Sequence, residues 1–474
     1  MKAPISLFLF IVRYTSLYLF SISLIWIIIS LFIECAIYIV EKNDYLILYL
    51  FLIIQMALFI PYIIDRETQY SFQPHHYGEI TSISGSVVFD STLSENGNTV
   101  VTVKADALKS SHSISLYKRI EILSIIKGSN YLRAGSKVSL SGHFIPSDDH
   151  TSLFIVTSYK ITHRSKGLLL REKIQEYIMG RIENVDDKVK ELILLVTLGI
   201  KGEKAYIITK SASIKGVAHL FALSGMHLSI LISLFLTFFS KVFSKKWGVF
   251  LSLLVAFFYL FIAGNKPSLM RSVLSLFVSM VPFIHTKEDR FMCVIIIHSL
   301  MFPSSMMALA ALYSYVAIYA ILTISSLFSR LLEVYLPHVI ASSLSLSISA
   351  MGLTGVISLF IFNSFHPIGI LYTLILTPLI IIFLTMSIIS IAITIEFIQK
   401  GVEMIGGLIY SILESQVLPL SVINPWIIFS LTIVLFLTLS TVLWYSHFTI
   451  HSRKTLTYEM DLCLRLPNSD KSTP

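Results

Sequence analysis

The chain has 474 residues, of which 55% are hydrophobic and 14% charged, with a formal net charge of +8 and a mean hydropathy of +0.79. A soluble protein carries about a quarter charged residues, so a soluble globular chain is excluded. Several apolar runs exceed the roughly 20 residues that cross a bilayer as a helix, and the composition is that of a polytopic α-helical membrane protein. The positive balance fits cytoplasmic loops enriched in lysine and arginine more simply than attraction to a polyanion.

In chain order, residues 1–64 read as two or three N-terminal membrane helices. The run Ile5–Val40 is too long for one untilted span and is interrupted by Arg13 and Tyr14-Thr15-Ser16. It is also much longer than the apolar region of a signal peptide. Residues 65–165 are polar and serine-rich, with strand-like alternation at Thr99–Lys104, Lys137–Phe144 and Ser152–Ile161. About 100 residues with several short strands suit a small antiparallel barrel or sandwich. This all-β domain is inserted as an extramembrane unit between helical regions.

Residues 166–215 turn helical but are too polar to span. Leu170, Ile174, Ile178 and Ile182 recur every fourth residue, and Val185, Val189, Leu192, Ile193 and Val196 continue the stripe. The pattern predicts amphipathic helices on the membrane surface or against the bundle. Residues 216–448 form the second membrane region. Its candidate spans are 217–240, 247–263, 268–285, 291–302, 306–329, 338–362, 366–395 and 427–447, and an interfacial amphipathic helix is expected within 396–421. Lys241, Lys245 and Lys246 mark a cytoplasmic loop. Residues 449–474 form a polar tail. Cys35 and Cys293 in apolar runs and Cys463 in the tail give no disulfide framework, and no Walker-type glycine loop is present.

Polar groups in a greasy chain are costly to leave unbonded, so three constellations draw attention. The first is His219, Ser224, Gly225 and His227 at the start of the 217–240 run. On one continuous helix the two imidazoles would lie roughly 80° apart, unless Gly225 opens a break. They could line a conduit, form a metal or Ser/His site that lacks a visible further ligand or acidic partner, or pack helices together. The second is Gly264-Asn265-Lys266-Pro267-Ser268 followed by Arg271. An arginine there either snorkels or holds an anion such as phosphate. The third is Tyr313, Tyr315 and Tyr319, which could stack on bases but far more commonly are packing or interface residues.

Residues 216–227, Gly-Val-Ala-His-Leu-Phe-Ala-Leu-Ser-Gly-Met-His, resemble the G-x-x-H-L-x-A-x-S-G-x-H signature of the ComEC competence family. Gly264–Ser272 is similar to that family's following element, with Ser268 and Arg271 in place. Leu312-Tyr313-Ser314-Tyr315 echoes a third element loosely, and Thr373-Leu374 with Pro378 keeps part of a fourth without its asparagine. The resemblance implies an inner-membrane channel that brings one DNA strand into a bacterial cell, with an OB-like domain receiving DNA outside. Its implied partners are single-stranded DNA, the bilayer, a DNA receptor, a cytoplasmic motor and a separate nuclease, with oligomerisation open. His219, Ser224, Gly225, His227, Lys266, Ser268 and Arg271 are the candidates for the DNA path. Many relatives continue into a metallo-β-lactamase-like domain, but no His-x-His-x-Asp-His cluster occurs here. No catalytic residue, metal or cofactor is therefore expected. The competing readings are an intramembrane Ser/His hydrolase and a transporter of another solute on the same scaffold. Placing the β domain outside requires an odd number of leading helices if the N-terminus is cytoplasmic, and the length of 5–40 allows three.

Overall fold

The computed structural model describes residues 80–415, apart from 95, 111–114, 117–119, 129–130, 146–152, 265, 283 and 285, together with residue 427. The expected N-terminal helices, the span at 427–447 and the polar tail lie outside the described residues. Seven strands open the described chain: β1 Ile80–Val87, β2 Thr92–Leu93, β3 Thr99–Ser110, β4 Ser115–Leu116, β5 Ile120–Ile126, β6 Lys137–Ile145 and β7 Leu153–His163. Alternation decides which face goes inward. Val101, Val103 and Ala105 of β3 and Ile120, Ile122 and Ile126 of β5 are buried, and the alternate residues Thr102, Lys104, Glu121 and Leu123 face the other side.

The five long strands close on themselves. β1 pairs β3, β3 pairs β5, β6 pairs β7 and β1 pairs β6, all antiparallel, while β5 pairs β7 in parallel. The circuit β1-β3-β5-β7-β6-β1 is that of an OB-like barrel. The purely antiparallel barrel read from alternation is corrected at one seam, because strand alternation carries no direction. Closure needs sharp local bends, and the register shifts at Gly85 and at Gly142. A Cβ at either glycine would collide with a facing backbone carbonyl, Lys104 O or Ile155 O. Only glycine lets the strands approach so closely there.

The helices follow: α1 Lys166–Arg181, α2 Asp187–Leu198, α3 Glu203–Ile214, α4 Ala218–Phe221, α5 Gly225–Val242, α6 Lys245–Ala263, α7 Pro267–Ser279, α8 Lys287–Met301, α9 Pro303–Met306, α10 Leu309–Leu332, α11 His338–Phe362, α12 Gly369–Ala392 and α13 Glu396–Glu414. Five of them, α5, α6, α10, α11 and α12, are long and apolar enough to cross a membrane, which makes this a multi-pass membrane protein with a separate small barrel. Residues from Gly355, at the end of α11, to Phe365 belong to a second compact unit.

Two expected spans are too short to cross: the first is shorter than its apolar run, and the second starts at Lys287, earlier than its run. The runs at 268–285 and 291–302 fold as α7 and α8, of 13 and 15 residues, about 20 and 22 Å at 1.5 Å per residue. Neither bridges a hydrocarbon core of about 30 Å. The run 217–240 is corrected as well, because it breaks into α4 and α5 at Ala222-Leu223-Ser224.

Of the two placements expected for 166–215, the structure shows packing against the bundle. Asp186 caps α2 by accepting from Lys188 and Val189 N–H, and Gly199 ends it at φ 68. Between these caps Val189 and every residue from Leu192 to Leu198 are buried. They form a core with Ala205 and Ile208 of α3, Leu376, Ile380 and Phe383 of α12, and Val402 and Ile409 of α13. On α1 the apolar stripe turns inward over most of its length: Leu170 is exposed, but Ile174 and Ile178 pack against this core and Ile182 is buried in it, with Arg171 and Gln175 buried beside them. Polar partners draw those two side chains inward.

Candidate functional site

The β-to-helix junction is built from those polar residues. Asp90, in the loop after β1, is buried and accepts from Arg171 Nη2 at 2.7 Å and Nη1 at 3.3 Å, and from Ala134 N–H at 2.9 Å. Lys266 Nζ stands 3.7 Å from the same carboxylate. Arg171 Nε and Gln175 Nε2 both donate to Ile262 O, at 2.9 and 2.8 Å, on the last turn of α6. Gln175 Oε1 accepts from Arg133 Nε and Nη2, and Arg133 also pairs with Glu172. The barrel is thus held to α1 and to the α6–α7 turn by one continuous buried network. Burial pushes the Asp90 carboxyl up, but the hydrogen bond from Arg171 and the charges of Lys266 and Arg171 outweigh it and hold its pKa below the ordinary value. Tyr131 beside it is pushed above the phenol range, first by burial and then by the charge of Asp90.

At the α4–α5 break, Ser224 is extended (φ −125°, ψ 175°) and caps α5. Its Oγ accepts from Met226 N–H at 3.3 Å, and its own N–H donates to His227 Nδ1 at 3.2 Å. This is a capping box with histidine in the place usually held by glutamate or glutamine. The Oγ lies 3.1 Å from the same Nδ1. With Nδ1 accepting a backbone N–H, the neutral ring carries its proton on Nε2. That atom is buried and finds no partner among the described residues. His227 lines a cavity of about 10 Å³ with Thr197, Leu231, Tyr259, Leu384 and Ile388, room for about one water. Tyr259 bridges the same region by donating to Thr197 O at 2.7 Å. His219 sits apart on α4, exposed, so the two imidazoles do not share a helix as the continuous-span geometry required.

Helices α5 and α7 cross at Gly225. A Cβ there would lie 2.5 Å from Ser272 Oγ and 3.3 Å from Arg271 Nη2, so the absent side chain sets the contact. Ser268 Oγ donates to Leu223 O at 2.6 Å and ties the two helix starts together. Arg271 is 9% exposed. Its Nε donates to Ser314 Oγ at 2.6 Å and its Nη2 to Ser272 Oγ at 3.2 Å. Among the described residues it forms no ion pair. Beyond it, His298 is wholly buried, with Nδ1 2.8 Å from Tyr315 OH and Nε2 3.2 Å from Ser305 Oγ.

The structure therefore gathers Ser224, Gly225, His227, Ser268 and Arg271, adds Ser272, Ser314, Tyr315 and His298 to them, and assigns Lys266 to the barrel junction. Tyr315 is fully buried and Tyr319 8% exposed, so neither offers a face for base stacking here, and the packing alternative accounts for both. Sequence reasoning misses Asp90, Arg171 and Gln175, although two polar residues four apart in an otherwise apolar-striped helix are an available signal. Among the described residues no three His, Cys, Asp or Glu side chains converge as metal ligands.

No curated protein and no solved structure matches this chain. A family model described as "Competence protein" matches residues 197–447, more than half of the 474 residues and a stretch that holds α3 to α13 and every residue of the α5–α7 crossing. The chain belongs to the Competence protein family.

Proposed function

We propose that the protein is the subunit through which a single DNA strand crosses the bacterial cytoplasmic membrane during transformation. The observation that carries the reading is the seating of the OB-like barrel on the α6–α7 turn, about one and a half helical turns before Arg271. Barrels of this topology commonly present nucleic-acid surfaces. Arg271 is a buried guanidinium bonded to hydroxyls and lacking a carboxylate among the described residues, and an intramembrane cation of this kind suits a phosphate. Lys241, Lys245 and Lys246 lie at the far end of α5 and the near end of α6, about 27 Å along the helix from the barrel end. The positive-inside rule makes that end cytoplasmic and the barrel side extracytoplasmic.

In this conformation Arg271 is covered by α5 at Gly225. Strand passage in this reading parts α5 from α7 there. With no nucleotide-binding loop in the chain, movement of the strand calls on an external motor. Ser224 and His227 act as a helix cap, and we propose that this chain carries no catalytic activity of its own.

The test is transformation of a competent host. Deleting the gene should abolish delivery of labelled DNA to the cytoplasm while surface binding persists, and Arg271→Met should reproduce the defect with normal protein levels. Undiminished delivery in the deletion strain would overturn the reading.

A further inference from the structure

One turn past Arg271, helices α7, α8 and α10 leave a groove of about 190 Å³. Ser275 of α7 stands at its edge, and Ile318 and Leu322 of α10 form one wall. The other wall is α8, which contributes Lys287, Arg290, Phe291 and Val294. Those four occupy positions i, i+3, i+4 and i+7, so they share one helical face. Glu288 and Asp289 step about 100° and 200° around from Lys287 and turn aside.

The groove is therefore divided along its length into a cationic mouth and an apolar channel. Lys287 is exposed and makes no ion pair among the described residues. Arg290 spends only Nε, on Ile284 O at 3.0 Å, which leaves its terminal nitrogens for a ligand. Helix α7 starts at the barrel end and runs about 20 Å away from it, which brings the α7–α8 turn toward the end marked by Lys241, Lys245 and Lys246. By the same rule that end faces the leaflet rich in anionic headgroups on the cytoplasmic side.

We infer that this groove holds one anionic phospholipid, with its phosphate on Lys287 and Arg290 and the upper part of one acyl chain laid over Phe291, Val294, Ile318 and Leu322. Guanidinium and ammonium together suit a phosphate diester, and the apolar walls supply what a free phosphate would not use. The site rests on the membrane setting alone and does not depend on the DNA-uptake reading.

The experiment uses the full chain reconstituted in nanodiscs of equal phosphatidylglycerol and phosphatidylcholine, followed by native mass spectrometry of retained lipid in mild detergent. Phosphatidylglycerol should be retained in preference, and Lys287→Gln with Arg290→Gln should lower that retention by about tenfold. A thermal unfolding curve in lipid-free detergent shows whether the double variant folds. If it does not, Lys287→Gln alone, at an exposed position, should lower retention by about threefold. Leu322→Trp, at a half-buried position lining the apolar channel, should abolish retention with both cations intact. Equal retention of the two lipids, or retention unchanged in the charge variants, would overturn the inference. So would displacement of the lipid by millimolar glycerol 3-phosphate, which marks a free-phosphate site, or by a single-stranded oligonucleotide, which marks a nucleic-acid site.

Discussion

Replacing Asp90 by asparagine tests how the barrel is fastened to the membrane domain. The Asp90 and Arg171 side chains are 6% and 4% exposed, so neither is paired chiefly with solvent. The amide of Asp90→Asn would keep an oxygen to accept from Ala134 N–H and one N–H of Arg171. It removes the only carboxylate that pairs with Arg171 and Lys266 among the described residues. Arg171 cannot swing out, because Nε is held by Ile262 O and its guanidinium lies against Gly264. Breaking one side of a buried ion pair costs about 3–5 kcal/mol, and the retained amide places Asp90→Asn near the lower bound. About 3 kcal/mol corresponds to roughly a 150-fold shift toward the undocked barrel. Hydrogen exchange on the full protein should show that shift at Ala134 and in the first half of α1. Amides of β3 and β5 should keep their protection, since the barrel core of Val101, Val103, Ile120 and Ile122 is untouched. Asp90→Leu combined with Arg171→Met should recover most of the loss, because a matched apolar pair leaves no orphaned charge between those two positions. Exchange at Ala134 within about threefold of the parent in Asp90→Asn would refute the claim that this carboxylate fastens the barrel.

The same carboxylate sets a pH dependence. Its folded pKa lies below the ordinary 3.8, so its contribution is fully present above that value and is lost as pH falls through the folded one. Docking measured by exchange at Ala134 should be flat from about pH 7 to 5 and weaken only below about pH 4. Ser224→Ala should cost about 1 kcal/mol as a lost helix cap, read by thermal unfolding, whereas Ser224→Asn should retain both stability and DNA delivery. A hydrolase would lose activity in both variants and would label with a serine-reactive probe. Gly225→Cys paired with Ser272→Cys brings two Cβ atoms to 3.4 Å, close to the spacing of a disulfide. Oxidation should arrest DNA delivery and reductant should restore it, and unaffected delivery in the crosslinked protein would show that the α5–α7 crossing does not part. Gly142→Ala should lower barrel stability by about 1–3 kcal/mol through overpacking, seen as faster exchange in β6 and β7.

What could be read from the chain follows from the range of the forces involved. Alternation at 99–104, 137–144 and 152–161 marked β3, β6 and β7, because an inward-facing residue at every second position is imposed locally by the barrel. The parallel β5–β7 seam left no mark, since direction depends on the path of the chain between strands. Apolar length located α5, α6, α10, α11 and α12, but it merged α4 with α5 across a break made by three ordinary residues, Ala222, Leu223 and Ser224. That break depends on Ser224 finding Met226 N–H and His227 Nδ1 as partners, which hydropathy does not weigh.

The site shows the same division more sharply. Ser224, Gly225, His227, Ser268 and Arg271 stood out because polar groups and a glycine are anomalous in hydrocarbon, and the α5–α7 crossing does gather them. The roles differ in ways set by residues far along the chain. Ser314 of α10 engages Arg271 from 43 positions away, and Asp90 takes Lys266 into the barrel junction from 176 residues upstream (266 less 90). On α1 the leucine and isoleucine stripe marks the packed side from Ile174 to Ile182 but gives no sign that Arg171 and Gln175 are buried beside it while Leu170 is exposed. A buried guanidinium that gains a carboxylate and a backbone carbonyl avoids a desolvation penalty of several kcal/mol, more than the roughly 1.5–3 kcal/mol that burying one further leucine would return. The charged partner across the chain, invisible to any local pattern, therefore accounts for the burial of Arg171 beside the stripe, and the same contacts tie the barrel to the α6–α7 turn.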